Sequence, residues 1–452
     1  MKRTITWLAL AGLLFIFLSP GALAQGGISA SDASYKVDYP RQLQFHLAAS
    51  APSSITAITL AVRFPSTGLT TRIPAKFDSA TQVNTTVNWD LRGETSTAVG
   101  GYLPPGAIGE YSWHIEDQAG DKLDTPAKPF RVDDNREPWQ DLKNDRVLLY
   151  WRGFSAADGR QVFDTTNKTL DAIQSDIGAT LTGQVQLFIY SDRSMFMSAL
   201  SPGQKEWAGG TIEADFGIVL IDGSAGLDYV LDTAPHELTH LVIAQYLKGP
   251  YRDISMPLWM NEGLAVYHEF IPPRNEPRFD QALRRGIQTD TVFRLRTLES
   301  SFPNDESVVP MAYGEGFSVV DFMIRTYGPE KLKQIMQLFK TGSTADEAFQ
   351  QVLGVNEDGL ENAWRKSVGA PLKNYPQLAT ATPGAVPTFG FSSAATPGAV
   401  AATATAPAVA AANTPAPGSN PFGGQPGAQG GGGLCGGLFG GAGLVAFAAW
   451  RL

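Results

Sequence analysis

The chain has 452 residues, 43% of them hydrophobic and only 17% charged, with a formal charge of −9 and a single cysteine, Cys435. That length leaves room for two or three domains, and the apolar share is enough for sizeable cores. The acidic balance offers no basic surface for nucleic acid, and one cysteine excludes an internal disulfide, which leaves packing and metal to hold the fold.

Taken in chain order, residues 1–24, "MKRTITWLALAGLLFIFLSPGALA", read as a secretory signal peptide. Lys2 and Arg3 precede an apolar run from Trp7 to Leu18, and Ala22-Leu23-Ala24 supplies the small-x-small cleavage pattern before Gln25. The run is short for a membrane span. Residues 25–138 alternate apolar and polar side chains in short runs: Leu43, Phe45, Leu47; Ile58, Leu60, Val62; Val83, Val87, Trp89; Tyr111, Trp113, Ile115. Turn clusters such as "PSTG" and "DQAGD" separate them, so this stretch is expected to be an all-β sandwich the size of an immunoglobulin-like domain. "LPPGAIGEYSWHIEDQAGDKL" resembles the late strands of bacterial immunoglobulin- or fibronectin-like modules.

The pattern changes over residues 139–370. "RVLLYW" (146–151) and "QVQLFIY" (184–190) read as strands flanking the helical "TTNKTLDAIQSDIG", and "WAGGTIEADFGIVLID" (207–222) adds another strand. Beyond Leu227 nearly everything reads as helix, including "PEKLKQIMQLFKTG" and "TADEAFQQVLG", which opens on a Thr344-x-x-Glu347 capping box. Strands first and helices afterwards imply an α+β domain. Residues 371–433 are rich in Ala, Pro, Thr and Gly, with "ATPGAV" at 381–386 and again at 395–400, the composition of a disordered linker. The last stretch, 434–452, is apolar up to Trp450 and ends on Arg451-Leu452. It resembles the anchoring or sorting tails of bacterial surface proteins, and an exported protein held at the membrane or cell envelope is expected.

Chemistry concentrates in "APHELTHLV" (234–242), which holds two of only five histidines. With Asp232 or Thr233 as cap and Pro235 in the first turn, a helix here would project His236 and His240 from one side, one turn apart. Two imidazoles so spaced chelate one zinc ion, and Glu237 beside them suits a general base toward water. A third ligand is needed. Ile243 and Tyr246 break the metzincin pattern, no ligand motif surrounds His268, and Glu262 lies downstream in the helical "PLWMNEGLAVY" (257–267).

"HELTH" followed by "WMNEGLA" resembles the gluzincin peptidases, the group of thermolysin and the aminopeptidase-N-like enzymes. That resemblance implies a zincin-type domain in which His236, His240 and Glu262 hold one Zn2+ and Glu237 acts on water. The interval from His240 to Glu262 is a little longer than in the best-known members. Val266 stands where thermolysin carries an acid one turn after the third ligand, which leaves Asp232, with Asn261, to support the ligands. "AYGEGFSVVDFMIRTYG" (312–328) is similar to the aminopeptidase segment whose tyrosine bonds the oxyanion, here Tyr313. "GGTIEAD" is similar to their substrate-edge segment and implicates Gly209, Gly210 and Glu213 in binding peptide or protein substrate. The likeness covers about residues 145–368 and extends to the compact peptidase MA-like domains of bacterial envelope proteins. It leaves internal and terminal cleavage open. The rival expectation is an inactive peptidase-like surface protein that binds a partner.

Overall fold

The structure, a computed structural model, describes residues 23–25, 27–92, 101–202, 209–250, 256–303 and 305–375. The expected signal peptide falls almost wholly outside the described residues, as do the linker and C-terminal tail from residue 376 onward. All the described elements lie in one compact unit.

The N-terminal part is built from β1 (Leu23–Gln25), β2 (Ile28–Asp38), β3 (Gln42–Phe64), β4 (Leu69–Pro74), β5 (Ala80–Asp90), β6 (Ile108–Asp117), β7 (Lys122–Asp124) and β8 (Lys128–Arg131). The alternating residues are buried as their spacing requires, Leu43, Phe45 and Leu47 as well as Ile58, Leu60 and Val62. The two runs, expected as separate strands, are halves of β3. Its first half pairs with β2 and β5, and its second half with β4 and β6, the register slipping between Ser50 and Ala57. "SAPSSIT" therefore bends the strand without ending it, and each half joins a different layer. The layers face each other: the Phe45 ring lies 5.1 Å from Tyr111 and 5.3 Å from Phe130.

The second sheet consists of β9 (Gln140–Lys143), β10 (Val147–Trp151), β11 (Val185–Tyr190), β12 (Gly210–Glu213) and β13 (Ile218–Asp222) in the order β12-β13-β11-β10-β9. β10, β11 and β13 are parallel, and both edge strands are antiparallel to their neighbours. Within the run 207–222, read as one strand, residues 210–222 form the β12–β13 hairpin with a short turn at Ala214–Phe216. β11 and β13 are buried at every position because both faces of the sheet are covered. Leu187, Ile189, Val219 and Ile221 pack into the helical core. Phe188, Tyr190, Ile218 and Leu220 pack into the core of the N-terminal sandwich.

The helices are α1 (Ala156–Ile177), α2 (Arg193–Ala199), α3 (Leu227–Tyr246), α4 (Leu258–His268), α5 (Pro277–Thr289), α6 (Val309–Tyr327), α7 (Pro329–Lys340), α8 (Ala345–Leu353) and α9 (Glu357–Val368). The Thr344/Glu347 capping box forms as read. α3 departs from expectation: it starts two turns earlier, after Gly226, and Pro235 lies inside it rather than in its first turn. An interior proline costs a helix about 3 kcal/mol. Burial of Val230, Ala234 and Leu238 in the helical core offsets that cost.

The seam between sandwich and sheet is tied by Asp134, which is fully buried. Its carboxylate accepts from Arg136 at 2.7 Å and from the Tyr190 hydroxyl at 3.0 Å, while Arg152 stacks 3.6 Å above the Trp139 ring. Burial would raise the Asp134 carboxyl, but Arg136 and Arg152 outweigh it and hold the group below the usual aspartate range. Removing one partner of such a buried pair strands the other, so Asp134→Ala should cost about 3–5 kcal/mol in chemical denaturation. Because the folded-state value is depressed, this stabilisation is complete above roughly pH 4 and fades as pH falls through the lowered value, which stability curves at stepped pH will show.

Candidate metal centre

α3 and α4 bring three donor atoms to one point. His236 Nε2 and His240 Nε2 are 3.1 Å apart, and Glu262 Oε2 lies 3.6 Å from the first and 3.5 Å from the second. All three residues are buried, and among the described residues they form the one group able to hold a metal ion. Ligands about 2.0–2.1 Å from a tetrahedral zinc stand roughly 3.3 Å from each other, so the triangle has the size such an ion requires. The Glu262 Oε2 atom itself is buried without a hydrogen-bond partner, as is Glu237 Oε1. A buried site with two orphaned carboxylate oxygens and two imidazoles set at 79° to each other fits a divalent cation.

Backbone packing makes the approach of α4 possible. A Cβ at Gly263, next to Glu262, would come within 2.4 Å of Gly316 O on α6, and one at Gly316 would meet Trp259 O at 2.8 Å. Only glycine at both places lets the two helices cross this closely. α6 then delivers Tyr313, which is buried, stacks on Phe279 with centroids 5.4 Å apart, and hydrogen-bonds Glu262. Burial, with Glu262 and Glu237 nearby, pushes its phenol well above the usual tyrosine range, so it stays a donor.

The second ring of contacts differs from expectation. His236 Nδ1 meets Glu269 Oε1 at 2.8 Å, so Glu269, which the sequence reading did not single out, holds that imidazole. Glu269 stands two helical turns beyond Glu262 on the same face of α4, one turn past Val266, and that i+7 spacing is the signal from which it was readable. Asn261 Oδ1 lies 3.2 Å from His240 Nδ1, where it fixes the ring so that Nε2 faces the centre. For His236, burial lowers the imidazole while the bonds to Glu262 and Glu269 raise it, and the balance lifts it to about 10. His268 is buried apart from the cluster, with Nε2 3.3 Å from Asp176 Oδ2.

β12 forms the wall beside Glu237. A Cβ at Gly210 would lie 2.5 Å from Glu237 Cγ, so the strand backbone rests directly on this side chain. Gly209 precedes it and accepts a 2.9 Å bond from the Asp222 amide. Glu213 does not join them. Side chains of a strand alternate between faces; Ile212 packs toward the helices, and Glu213 turns to the opposite face, where it bonds Tyr102 of the sandwich. There burial pushes its carboxyl up to about 7.

Residues 165–370, a little under half of the chain, match the Peptidase MA superfamily. The match falls on the stretch that holds "HELTH" and "WMNEGLA", the segments that resemble the gluzincin peptidases. No curated protein matches the chain in sequence. Among solved structures the chain is similar to an M1 zinc metallopeptidase from Deinococcus radiodurans, at 12% identity and TM-score 0.35, over 78% of this chain and 96% of that one. It is similar to aminopeptidase A of Legionella pneumophila in complex with aspartic acid at 11% identity and TM-score 0.30, over 77% of this chain and 49% of that one. A smaller similarity, 8% identity and TM-score 0.17, pairs 24% of this chain with 97% of the structure called BhCBM56.

Loss of a group that orients a metal-bound histidine weakens metal binding about 10–100-fold. Glu269→Ala should therefore lose zinc to a competing chelator at roughly that lower concentration; wild-type affinity in this variant would exclude the role for Glu269.

Proposed function

We propose that the chain is a zinc-dependent metallopeptidase that hydrolyses peptide bonds. The observation that supports this most is the convergence of His236, His240 and Glu262 beside an orphaned Glu237 resting on the backbone of an edge strand. Bound by those three residues, zinc would supply Lewis acidity toward a water and a carbonyl oxygen. Glu237 takes the water's proton and returns it to the leaving amine, and its burial raises its carboxyl, which favours holding that proton in between. Tyr313 donates to the carbonyl oxygen as negative charge develops on it. The substrate backbone lies extended along β12, the edge strand of the sheet among the described residues, with Gly209 and Gly210 leaving room for it beside Glu237. Asn261 and Glu269 hold the two imidazoles in orientation.

We further infer an exported protein held at the cell surface, on the sequence of residues 1–24 and 434–452. Among the described residues no helix is long and apolar enough to cross a membrane.

Glu237→Gln preserves shape but cannot accept a proton, so zinc content by elemental analysis should stay stoichiometric while turnover of a peptide library drops by several orders of magnitude. Tyr313→Phe should lower kcat by about 10²–10³-fold, with little change in KM. Stoichiometric zinc with no peptide cleaved by the wild-type chain would leave the binding-protein reading in its place.

A further inference from the structure

The edge strand β12 has only four residues, Gly210–Glu213, and among the described residues it pairs with one strand, β13. So short an edge has few contacts of its own to keep it in place. Its distance from Glu237 nevertheless sets whether an extended peptide fits beside the metal ligands, because a Cβ at Gly210 would already lie 2.5 Å from Glu237 Cγ. One end of the strand is fixed by the Asp222 amide, which donates to Gly209 O at 2.9 Å. The other end runs into the turn Ala214–Phe216, and three contacts converge there.

Gln245 lies on α3, the helix of His236, Glu237 and His240; its Nε2 donates to Ala214 O at 3.3 Å, and its Oε1 accepts from the Thr182 amide at 3.2 Å. Lys248, just past the end of α3, stands 3.2 Å from Asp215 Oδ1 and donates to Ser66 O at 2.9 Å, so one ammonium joins the turn to the sandwich. Phe216 makes the third contact. Its ring meets Phe64 edge to face at 5.9 Å, and Phe64 meets Trp89 at 5.9 Å. Phe64 and Trp89 belong to the buried core of the sandwich, and the half-buried Phe216 packs against it. The Lys248 side chain is half exposed, so solvent screens its pairing with Asp215. Burial of an aromatic ring carries no such discount, which makes Phe216 the strongest tie between the turn and the sandwich.

Resting on the peptidase reading, we propose that Phe216 is a positioning residue through which the N-terminal sandwich holds β12 where a peptide adds to its edge, so that the sandwich is part of the peptide-binding apparatus. A strand in place for only a fraction of the time binds with an affinity reduced by that fraction. The metal ligands and Glu237 are untouched by loosening the turn, so the loss falls on KM and leaves kcat. It falls hardest on peptides long enough to run the length of β12 and spares those that end beside Gly210.

The test uses the full zinc-loaded chain with an octapeptide and with the shortest peptide that the wild-type chain cleaves. In Phe216→Ala, KM for the octapeptide should rise about tenfold, the figure for an edge in place a tenth of the time, while KM for the short peptide, kcat and zinc content stay at wild type. Phe216→Leu, which keeps an apolar contact with Phe64, should restore most of the loss. Amide hydrogen exchange should quicken at residues 210–213 in Phe216→Ala and keep its wild-type rate in α3 and α4. Should Phe216→Ala fail to fold, Phe216→Val gives the same comparison with a smaller rise. Unchanged KM for the octapeptide, or equal losses for long and short peptides, overturns the positioning role and leaves the peptidase reading standing. Absence of any cleavage by the zinc-loaded wild-type chain overturns the peptidase reading and the role in substrate binding with it.

Discussion

Everything around the centre answers to one constraint: carboxylates packed where water cannot reach them. Glu237, Glu262 and Glu269 share a volume with His236 and His240, and in the three ion pairs that link Glu262 and Glu269 to the imidazoles no side chain is more than 11% exposed. Stripping an ionised carboxylate of water costs several kcal/mol even after the surroundings relax. The imidazoles return part of that cost through hydrogen bonds, and a divalent cation held by His236, His240 and Glu262 would return more by meeting the orphaned Glu262 Oε2. The closeness that makes the site dear without metal is what gives the ion a ready-made set of ligands.

Such density requires backbone to approach backbone. Gly263 against Gly316, Gly314 against Phe279 O at 2.5 Å, and Gly210 against Glu237 are three contacts in which any side chain would collide. The first two set α6 against α4 and α5 and so position Tyr313. The third lowers the edge strand onto the base. In each case the missing Cβ defines a distance inside the site, so the glycine of "NEG" belongs to the machinery as surely as the glutamate before it.

The metal ligands were legible in the sequence because their chemistry is local: His236 and His240 share a helix, and the residue pattern around Glu262 carries its own likeness. What was illegible depends on tertiary structure. Glu269 carries a helical spacing from Glu262 but no motif of its own, and the packed helices bring His236 to it one turn beyond Val266. Pro235 pointed to a helix start, as prolines usually do, yet buried Val230 and Ala234 carry α3 back to Leu227. The bend in β3 looked like a turn because serine and proline cluster there, while the partner strands hold the chain extended through it.

The position of Glu213 shows most sharply how the sandwich enters the chemistry. The sheet has two covered faces, helices on one and the sandwich on the other, so every residue of β12 must choose between the metal side and the seam. Gly210 rests on Glu237, and three positions on, an odd step, the strand's alternation obliges Glu213 to face the seam and Tyr102. One residue fewer between them would turn that carboxylate toward the metal side. A glutamate at a familiar place in the sequence has thus become part of the contact with the N-terminal strands.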